Sequence, residues 1–273
     1  MARRARLDAE LVRRGFARSR EQAGELVDAG LVEVAGVLAR KPASSVDPAA
    51  AIRVKDAGPQ YVSRGAHKLL GALDAFGPAG LRVSGRRCLD AGASTGGFTQ
   101  VLLNADAAQV AAVDVGYGQI AWSLRTDERV SVYERTNVRT LTPEAIGGPV
   151  ELCVADLSFI SLRLVLPALA SCLVPGGDLV PMVKPQFEVG KERVGAGGVV
   201  RDPELRADAV LSVAEAAAGL GLGTAGVVAS PLPGPSGNVE FFLWLRAGES
   251  LVDEQRIRDV VRGPVGHGEP EEP

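Results

Sequence analysis

Aromatic residues make up only 4% of this 273-residue chain, and it has two histidines, His67 and His267. So few rings leave little for a base-stacking sheet such as an RRM. The three cysteines, Cys88, Cys153 and Cys172, each lie in an apolar run, with no CxxC and no Cys/His cluster. That pattern excludes a disulfide framework, argues against any metal site, and reads as reduced core thiols in a cytoplasmic protein. No run approaches the ~20 apolar residues of a membrane span, and the N-terminal stretch has no continuous apolar segment of signal-peptide length. No membrane association is therefore expected. A large charge of one sign is also missing: the formal net charge is −3, which excludes a uniformly basic nucleic-acid coat. What is present is 46% apolar and 23% charged residues. This excludes a disordered, collagen-like or coiled-coil chain, and the length suits one large or two small domains with a real core.

The small net charge hides an asymmetry. Residues 1–20 hold seven arginines and two acids, a local +5, whereas residues 251–273 hold three arginines and six acids, a local −3. The stretch 263–273 is rich in proline and glutamate and is expected to be a disordered acidic tail. Residues 1–58 read as a small α+β module. Leu7, Leu11 and Val12 share a helical face with Phe16 just beyond, and Ser19 with Gln22 forms a capping box that opens a second helix carrying Ala23, Leu26 and Val27 and stopping at Gly30. Leu31–Val34 and Val37–Ala39 read as strands joined by a tight turn at Ala35-Gly36, and Ile52–Val54 as a third strand. Residues 59–64 read as an interdomain linker.

From there to residue 262 the pattern alternates helices with apolar strands. Helices are expected over 64–76, 97–105, 162–173 (with Pro167 inside, hence a kink) and 205–220. Strands are expected over 87–90, 109–114, 150–156, 178–184, 224–229 and 239–245. Such alternation marks an open, doubly wound α/β sheet. Nothing in it demands more than a monomer.

The strongest local motif is Asp90-Ala-Gly-Ala-Ser-Thr-Gly-Gly-Phe98, at the first strand-to-helix turn. Gly92 allows a tight turn, while Gly96 and Gly97 allow close approach of a ligand and of a helix. About twenty residues on, Asp114 ends the next strand, where a carboxylate can accept both ribose hydroxyls of a nucleoside. A dinucleotide fingerprint fails because Ser94 stands where the second glycine is needed, and no Walker A is present. The form D-x-G-x-x-x-G fits an S-adenosylmethionine turn, which needs no phosphate cradle. Asp90, Gly92, Ser94, Gly96, Gly97, Phe98, Asp114 and Asp156 are the candidate cofactor residues, with Asn137 placed to bond an adenine.

Four ionisable residues gather at one sheet edge. Asp156 and Lys184 each end an apolar strand, and the carboxyl ends of parallel strands line the sites of open α/β sheets. If the last strand runs antiparallel, Glu240 at its start shares that edge, and Lys68 on the helix leading into the sheet can fold over it. Two lysines and two carboxylates form a neutral set, which limits the several kcal/mol that burying each lone charge costs. Burial and clustering favour a neutral amine, which can serve as a base toward a ribose hydroxyl. The stretch Asp156-Leu-Ser-Phe159 is not the N-P-P-Y of a base N-methyltransferase, and neither Cys153 nor Cys172 follows a proline. Transfer to an oxygen is what remains.

Taken together, these residues resemble the TlyA (hemolysin A-like) ribosomal RNA 2′-O-methyltransferases. Arg6-Leu-Asp-Ala-Glu-Leu11, Ser19-Arg-Glu-Gln-Ala23 and Ala29-Gly-Leu-Val32 match an S4-type RNA-binding domain. Tyr61–Leu69, Asp90–Phe98, Asp156–Ile160, Lys184-Pro-Gln-Phe-Glu188 and Gly237-Asn-Val-Glu240 match an FtsJ-like catalytic domain. The resemblance implies a Rossmann-like methyltransferase sheet of seven strands, the last antiparallel, behind a small α+β S4-like domain. It implies a K-D-K-E tetrad of Lys68, Asp156, Lys184 and Glu240. In that set Lys184 is the base or holds the hydroxyl in line, Asp156 and Lys68 steer it, and Glu240 positions a lysine. It implies S-adenosylmethionine as methyl donor and a cytidine 2′-hydroxyl of 23S rRNA as acceptor, with 16S rRNA as well for the longer, dual-substrate type that the basic N-terminus and C-terminal extension resemble. The expected RNA surface is Arg4, Arg6, Arg18, Arg20 and Lys41, with Lys191 and Arg193 on the Gly-rich loop beyond Lys184; phosphate contacts of this kind give affinity without sequence readout. The competing readings are a membrane-active hemolysin and a non-catalytic ribosome-assembly factor that binds RNA. The intact turn and tetrad favour the enzyme.

Overall fold

In a computed structural model of the chain, residues 4–17, 19–55, 61–234 and 236–263 are described. Arg18, the tail 264–273, residues 56–60 at the linker and the side chain of Lys191 lie outside that set. The chain divides into two compact units, Met1–Gln60 and Tyr61–Pro273.

In the first unit the order is β1 (Ala5–Arg6), α1 (Leu7–Arg13), α2 (Arg20–Asp28), β2 (Val32–Val34), β3 (Val37–Leu38), β4 (Ser45–Val46) and β5 (Ile52–Val54). Ser19 caps α2, its side chain accepting from the Gln22 amide at 3.1 Å. β2 and β3 form a hairpin whose turn residues Ala35 and Gly36 have φ of 50° and 81°. Two left-handed residues give the turn the twist that its strands need. β5 adds to β2 on the other side, and β1 pairs with β4, a pairing of two-residue strands too short to show in a hydrophobic pattern. Leu7, Leu11, Ala23, Leu26, Val27, Val32 and Val46 close the core.

The second unit runs α3 (Gly65–Phe76), β6 (Arg87–Ala91), α4 (Gly97–Asn104), β7 (Gln109–Val113), α5 (Trp122–Arg125), β8 (Val130–Tyr133), β9 (Val150–Ala155), α6 (Leu166–Ser171), β10 (Leu173–Val183), α7 (Pro185–Glu188), α8 (Pro203–Ala218), β11 (Leu222–Ala229), β12 (Phe241–Ala247) and α9 (Glu254–Arg262). Its strands form one seven-stranded sheet in the order β11-β12-β10-β9-β6-β7-β8. β12 is antiparallel to both its neighbours, and the pairs among β10, β9, β6, β7 and β8 are parallel. This is the sheet expected from the sequence, with the final strand reversed. Alternate residues of its strands feed two cores. Cys88, Val110, Leu152, Val180 and Phe242 pack with Leu69, Phe76, Phe98 and Leu102 of α3 and α4. Leu89, Val113, Cys153, Leu179 and Phe241 pack with Leu166, Leu169, Val210, Val213 and Ile257 of α6, α8 and α9. Both faces of a parallel sheet are thereby buried. All three cysteines are buried and free, and burial pushes the Cys88 thiol up to about 12.

Three local differences have physical causes. The single helix expected over 162–173 is divided at Val165 into a 3₁₀ turn, Leu162–Leu164, and α6. Pro167 stands in the first turn of α6, where its missing N–H leaves no bond unmade. β10 begins at Leu173 rather than 178, because the Pro175-Gly176-Gly177 segment is carried as a register shift against β9 between Leu173 and Asp178. α9 was not expected: its buried apolar residues are only Ile257 and Val261, one turn apart on an otherwise charged helix. Among the described residues no helix is long and apolar enough to cross a membrane, and no group of His, Cys, Asp and Glu could hold a metal ion.

Asp178 braces the end of the sheet away from the strand tips. Its carboxylate accepts from Trp244 Nε1 at 2.8 Å and from Arg86 Nη1 at 2.6 Å, and it is almost fully buried. Asp178→Ala leaves an indole N–H and a part-buried guanidinium unpaired. We expect a loss of about 3 kcal/mol, read by calorimetry as a fall in Tm of about 10 °C.

Candidate active site

The carboxyl edge of the sheet is built by register. β6 and β9 pair in parallel through Ala91–Ala155, and β9 and β10 through Ala155–Pro181. Asp156 is the first residue beyond β9, and Lys184 the first beyond β10. In the antiparallel ladder Val183 faces Phe241, so one step further Lys184 stands across from Glu240. Lys68 comes to the same edge on the first turns of α3. The four residues fall into two pairs. Lys68 Nζ donates to Glu240 Oε2 at 2.5 Å, and Lys184 Nζ lies 2.6 Å from Asp156 Oδ1.

The pairs differ in the exposure of their acids. Both lysine side chains are buried, at 7% and 8% exposed for Lys68 and Lys184, but Glu240 is 0% exposed whereas Asp156 is 22% exposed and opens on a cleft. Glu240 is wrapped by the segment before β12: its backbone carbonyl accepts from the Ser230 amide, and a Cβ on Gly234 would strike its carboxylate. Pro231 of that segment presses on α3 so closely that a Cβ at Gly71 would lie 2.7 Å from the proline ring. The buried pair thus joins α3 to the β12 side of the sheet. The Lys184 amine also donates to Ser158 Oγ at 2.9 Å.

The cleft has a volume of about 470 Å³ and is bordered by Gly92, Ser94, Asp114, Asn137, Asp156 and Ser158, among others. A smaller cavity of about 150 Å³ adjoins it, sharing Gly92, Ser94 and Asp156 and reaching Gly97 and Phe98. Gly92 has φ +89°, and a Cβ there would run into the carbonyl oxygen of Asp156. Glycine is what lets the two strand ends lie this close. Ser94 is left-handed, with φ 48°, and its amide donates to Asp114 Oδ2 at 2.8 Å. The Gly116 amide donates to the other Asp114 oxygen at 2.6 Å. These bonds hold the carboxylate at the cleft wall, and each oxygen keeps a second lone pair for a ligand.

The remaining candidates have packing roles as well. Gly96, with φ +97°, makes room for Leu124 and Ile120, and Gly97 makes room for Ser63, which borders the smaller cavity with it. Phe98 borders the smaller cavity and packs into the core beside Phe242. Asn137 borders the cleft, but its Oδ1 accepts from the Arg139 amide and caps a short 3₁₀ turn. Asp90 is fully buried, borders neither cavity, and accepts from Thr99 Oγ1 at 2.7 Å while its Oδ1 has no partner.

Of the expected RNA-facing residues, Arg6 and Arg20 both donate to Asp8 and remain more than half exposed, a compact two-guanidinium cluster. Those contacts hold the Asp8 carboxyl well below the usual carboxylate range, Arg6 contributing most. Arg4 donates to the Ser45 carbonyl, and Lys41 is exposed. In the second unit Arg193 Nε donates to the Val189 carbonyl at 2.7 Å. The Gly-rich loop that carries it is pinned: Asn238 Oδ1 accepts from the Val200 amide and Nδ2 donates to the Gly198 carbonyl.

Three residues of this region carry no assignment from the sequence. Phe159 is 91% exposed at the cleft rim, left-handed with φ 64°, its ring centroid 5.2 Å from that of Phe187. Ser158 and the buried Glu188 are the others. All lie inside motifs quoted above, where an exposed aromatic or a serine two residues past a strand-end acid was the available signal.

The FtsJ-like methyltransferase family matches residues 61–247, and the S4 domain family residues 5–52. A Mycobacterium tuberculosis protein named 16S/23S rRNA (cytidine-2′-O)-methyltransferase TlyA is 62% identical over 270 residues, covering 98% of this chain and all of that one. The chain belongs to the TlyA family of FtsJ-like methyltransferases. A Campylobacter jejuni TlyA, named for 23S rRNA alone, is 37% identical over 67% of this chain and 70% of its own length. A solved Streptococcus thermophilus structure bearing a hemolysin name superposes with a TM-score of 0.73 at 39% identity, covering 96% of this chain and 95% of that one. The chain is therefore a methyltransferase with an S4 domain.

Burial pushes the Asp90 carboxyl up to about 7, and the Thr99 bond opposes this only in part. The folded state then binds a proton that the unfolded chain releases near pH 4, so stability is lost as pH rises from about 4 to about 7. Asp90→Asn keeps an acceptor for Thr99 and carries no charge. Denaturant titrations across that range are expected to show the decline in the parent protein and a flatter profile in the variant; parallel profiles would exclude Asp90 as its source.

Proposed function

We propose that the protein transfers a methyl group from S-adenosylmethionine to the 2′-hydroxyl of a cytidine in 23S rRNA and in 16S rRNA, acting in the cytoplasm on ribosomal subunits. The observation that carries the reading is the Asp156 carboxylate, paired with the buried Lys184 amine, opening on the same cleft as the Asp114 carboxylate, at the carboxyl edge of a methyltransferase sheet. The identity to a relative named for both rRNAs supports the dual substrate.

The cleft suits the methyl donor by size and by donor set. Its volume is in the range of small-molecule sites, Asp114 offers lone pairs to ribose hydroxyls, and Gly92 keeps side chains off the turn. Gly92, Ser94, Asp114 and Asn137 would hold the nucleoside part, and the smaller cavity beside Gly97 and Phe98 the amino-acid part. The bound donor supplies a methyl already activated by a sulfonium, which the ribose oxygen takes by in-line displacement of the thioether.

The chain's own residues align the oxygen and receive its proton. Lys184 Nζ accepts the hydroxyl proton, and Asp156 holds the amine at the strand edge and stabilises the ammonium that results. The buried Lys68–Glu240 pair fixes α3 against the sheet and so keeps the edge in shape. Alignment of this kind supplies much of the rate for an activated methyl. Arg6, Arg20, Arg4 and Lys41 of the S4 domain supply phosphate contacts that fall off with salt.

Tritium transfer from labelled S-adenosylmethionine to 30S and 50S subunits, purified from cells lacking the protein, tests this. Label is expected on both. Lys184→Ala is expected to lower transfer about a hundredfold or more with donor binding intact, whereas Asp114→Ala is expected to weaken donor binding about tenfold. A fully active Lys184→Ala protein would remove the catalytic assignment, and label on 50S alone would remove 16S rRNA from the substrates.

A further inference from the structure

Both polar partners of the Lys184 amine lie on the turn that follows β9. They do different work. Asp156 Oδ1 is close, at 2.6 Å, but the contact lacks hydrogen-bond alignment. Ser158 Oγ, at 2.9 Å, has it. The carboxylate attracts the amine, and the serine sets its angle. A neutral primary amine has two N–H bonds and one lone pair in tetrahedral directions. With one N–H fixed on Ser158 and the other drawn to Asp156, the lone pair takes the direction that is left. Without Ser158 the amine can turn about Cε–Nζ and offer an N–H where the lone pair is needed.

We propose that Ser158 is a positioning residue for methyl transfer: its hydroxyl sets the rotation of the Lys184 amine so that the lone pair meets the incoming ribose hydroxyl. This rests on reading Lys184 as the base. The balance of the step is then complete. The hydroxyl proton passes to Nζ, the freed oxygen pair forms the new C–O bond, and the C–S bond breaks with its pair left on sulfur. The ammonium formed has three N–H groups, with Ser158, Asp156 and the product oxygen as acceptors.

The backbone keeps the serine in place. The buried Glu188 carboxylate, four residues beyond Lys184, accepts from Ser161 Oγ at 2.6 Å and from the Leu162 amide at 2.7 Å. Phe159 packs on Phe187 across the same gap. The turn bearing Ser158 is thus tied to the turn bearing Lys184 at points other than the lysine itself. Ser158 is exposed and borders the cleft, so its hydroxyl is not a packing element.

Single-turnover transfer to 50S subunits from cells lacking the protein, at saturating S-adenosylmethionine, tests the proposal in the full chain. Ser158→Ala is expected to slow transfer about tenfold, the value of one aligned hydrogen bond, with donor affinity, subunit affinity and Tm unchanged. Ser158→Thr, which keeps the hydroxyl at an exposed position, is expected to restore most of the rate. A Ser158→Ala rate within twofold of the parent would overturn the proposal. So would a loss confined to donor or subunit affinity, or a Thr variant as slow as Ala. Lys184→Ala measured alongside separates the two claims. An inactive Lys184→Ala with a fully active Ser158→Ala refutes the serine's role alone; an active Lys184→Ala refutes the base and the serine together.

Discussion

The register between β9, β10 and β12 is the constraint on which the candidate active site depends. Parallel pairing of β9 with β10 brings Asp156 and Lys184 to neighbouring strand ends, and antiparallel β12 returns Glu240 to the same edge. A shift of one residue in either ladder would turn each of these side chains to the opposite face. The register is protected by burial on both sides, since Val180 and Met182 feed one core and Leu179 and Val183 the other. A slip would exchange those two sets while the helices above and below stayed put. The geometry of the candidate site is therefore secured by the hydrophobic pattern of strands that contain none of its four charged residues.

Four charges at this edge are tolerable because they form two pairs with separate duties. The Lys68–Glu240 pair is sealed under the segment that Pro231 and Gly234 press into place, and a buried pair with so little water contributes little net stability. Its value is in where it fastens: the start of α3, Gly65, and Ser63 just before it border the smaller cavity, so the pair sets the wall of the candidate donor site. In the Lys184–Asp156 pair the lysine is also buried, but the acid opens on the cleft, where we propose that the amine receives a proton. Ser158, Glu188 and the Phe159–Phe187 contact hold the turns that carry it.

Much of this was legible in the chain. Apolar runs that end in a single charge, as at Asp156 and Lys184, announce a strand whose tip is used, and the Asp90–Phe98 turn followed by Asp114 announces a nucleoside site. The pairing was not legible. Lys68 and Glu240 are 172 residues apart, and no local pattern says that Glu240 takes Lys68 rather than Lys184. The division of labour among glycines was equally hidden: Gly92 answers to the backbone of Asp156, Gly96 to Leu124 and Gly97 to Ser63, contacts that exist only in three dimensions. α9 escaped because two buried residues one turn apart are a weak periodic signal, and α5 because four residues hold barely one turn. Phe159 and Ser158 stood in a quoted motif but looked like loop residues until the strand tips came together around them.

The central claim is that the Lys184 amine receives the ribose proton at this edge. Rescue of a Lys184→Gly protein by small primary amines tests it directly, because the two partners of the lysine, Asp156 and Ser158, border an open cleft that can admit a free amine in place of the missing one. The account predicts that transfer to ribosomal subunits returns with added amine and that, among amines of similar size, the rate rises with basicity. Rescue that ignores basicity, or a glycine variant that needs no amine at all, would contradict it.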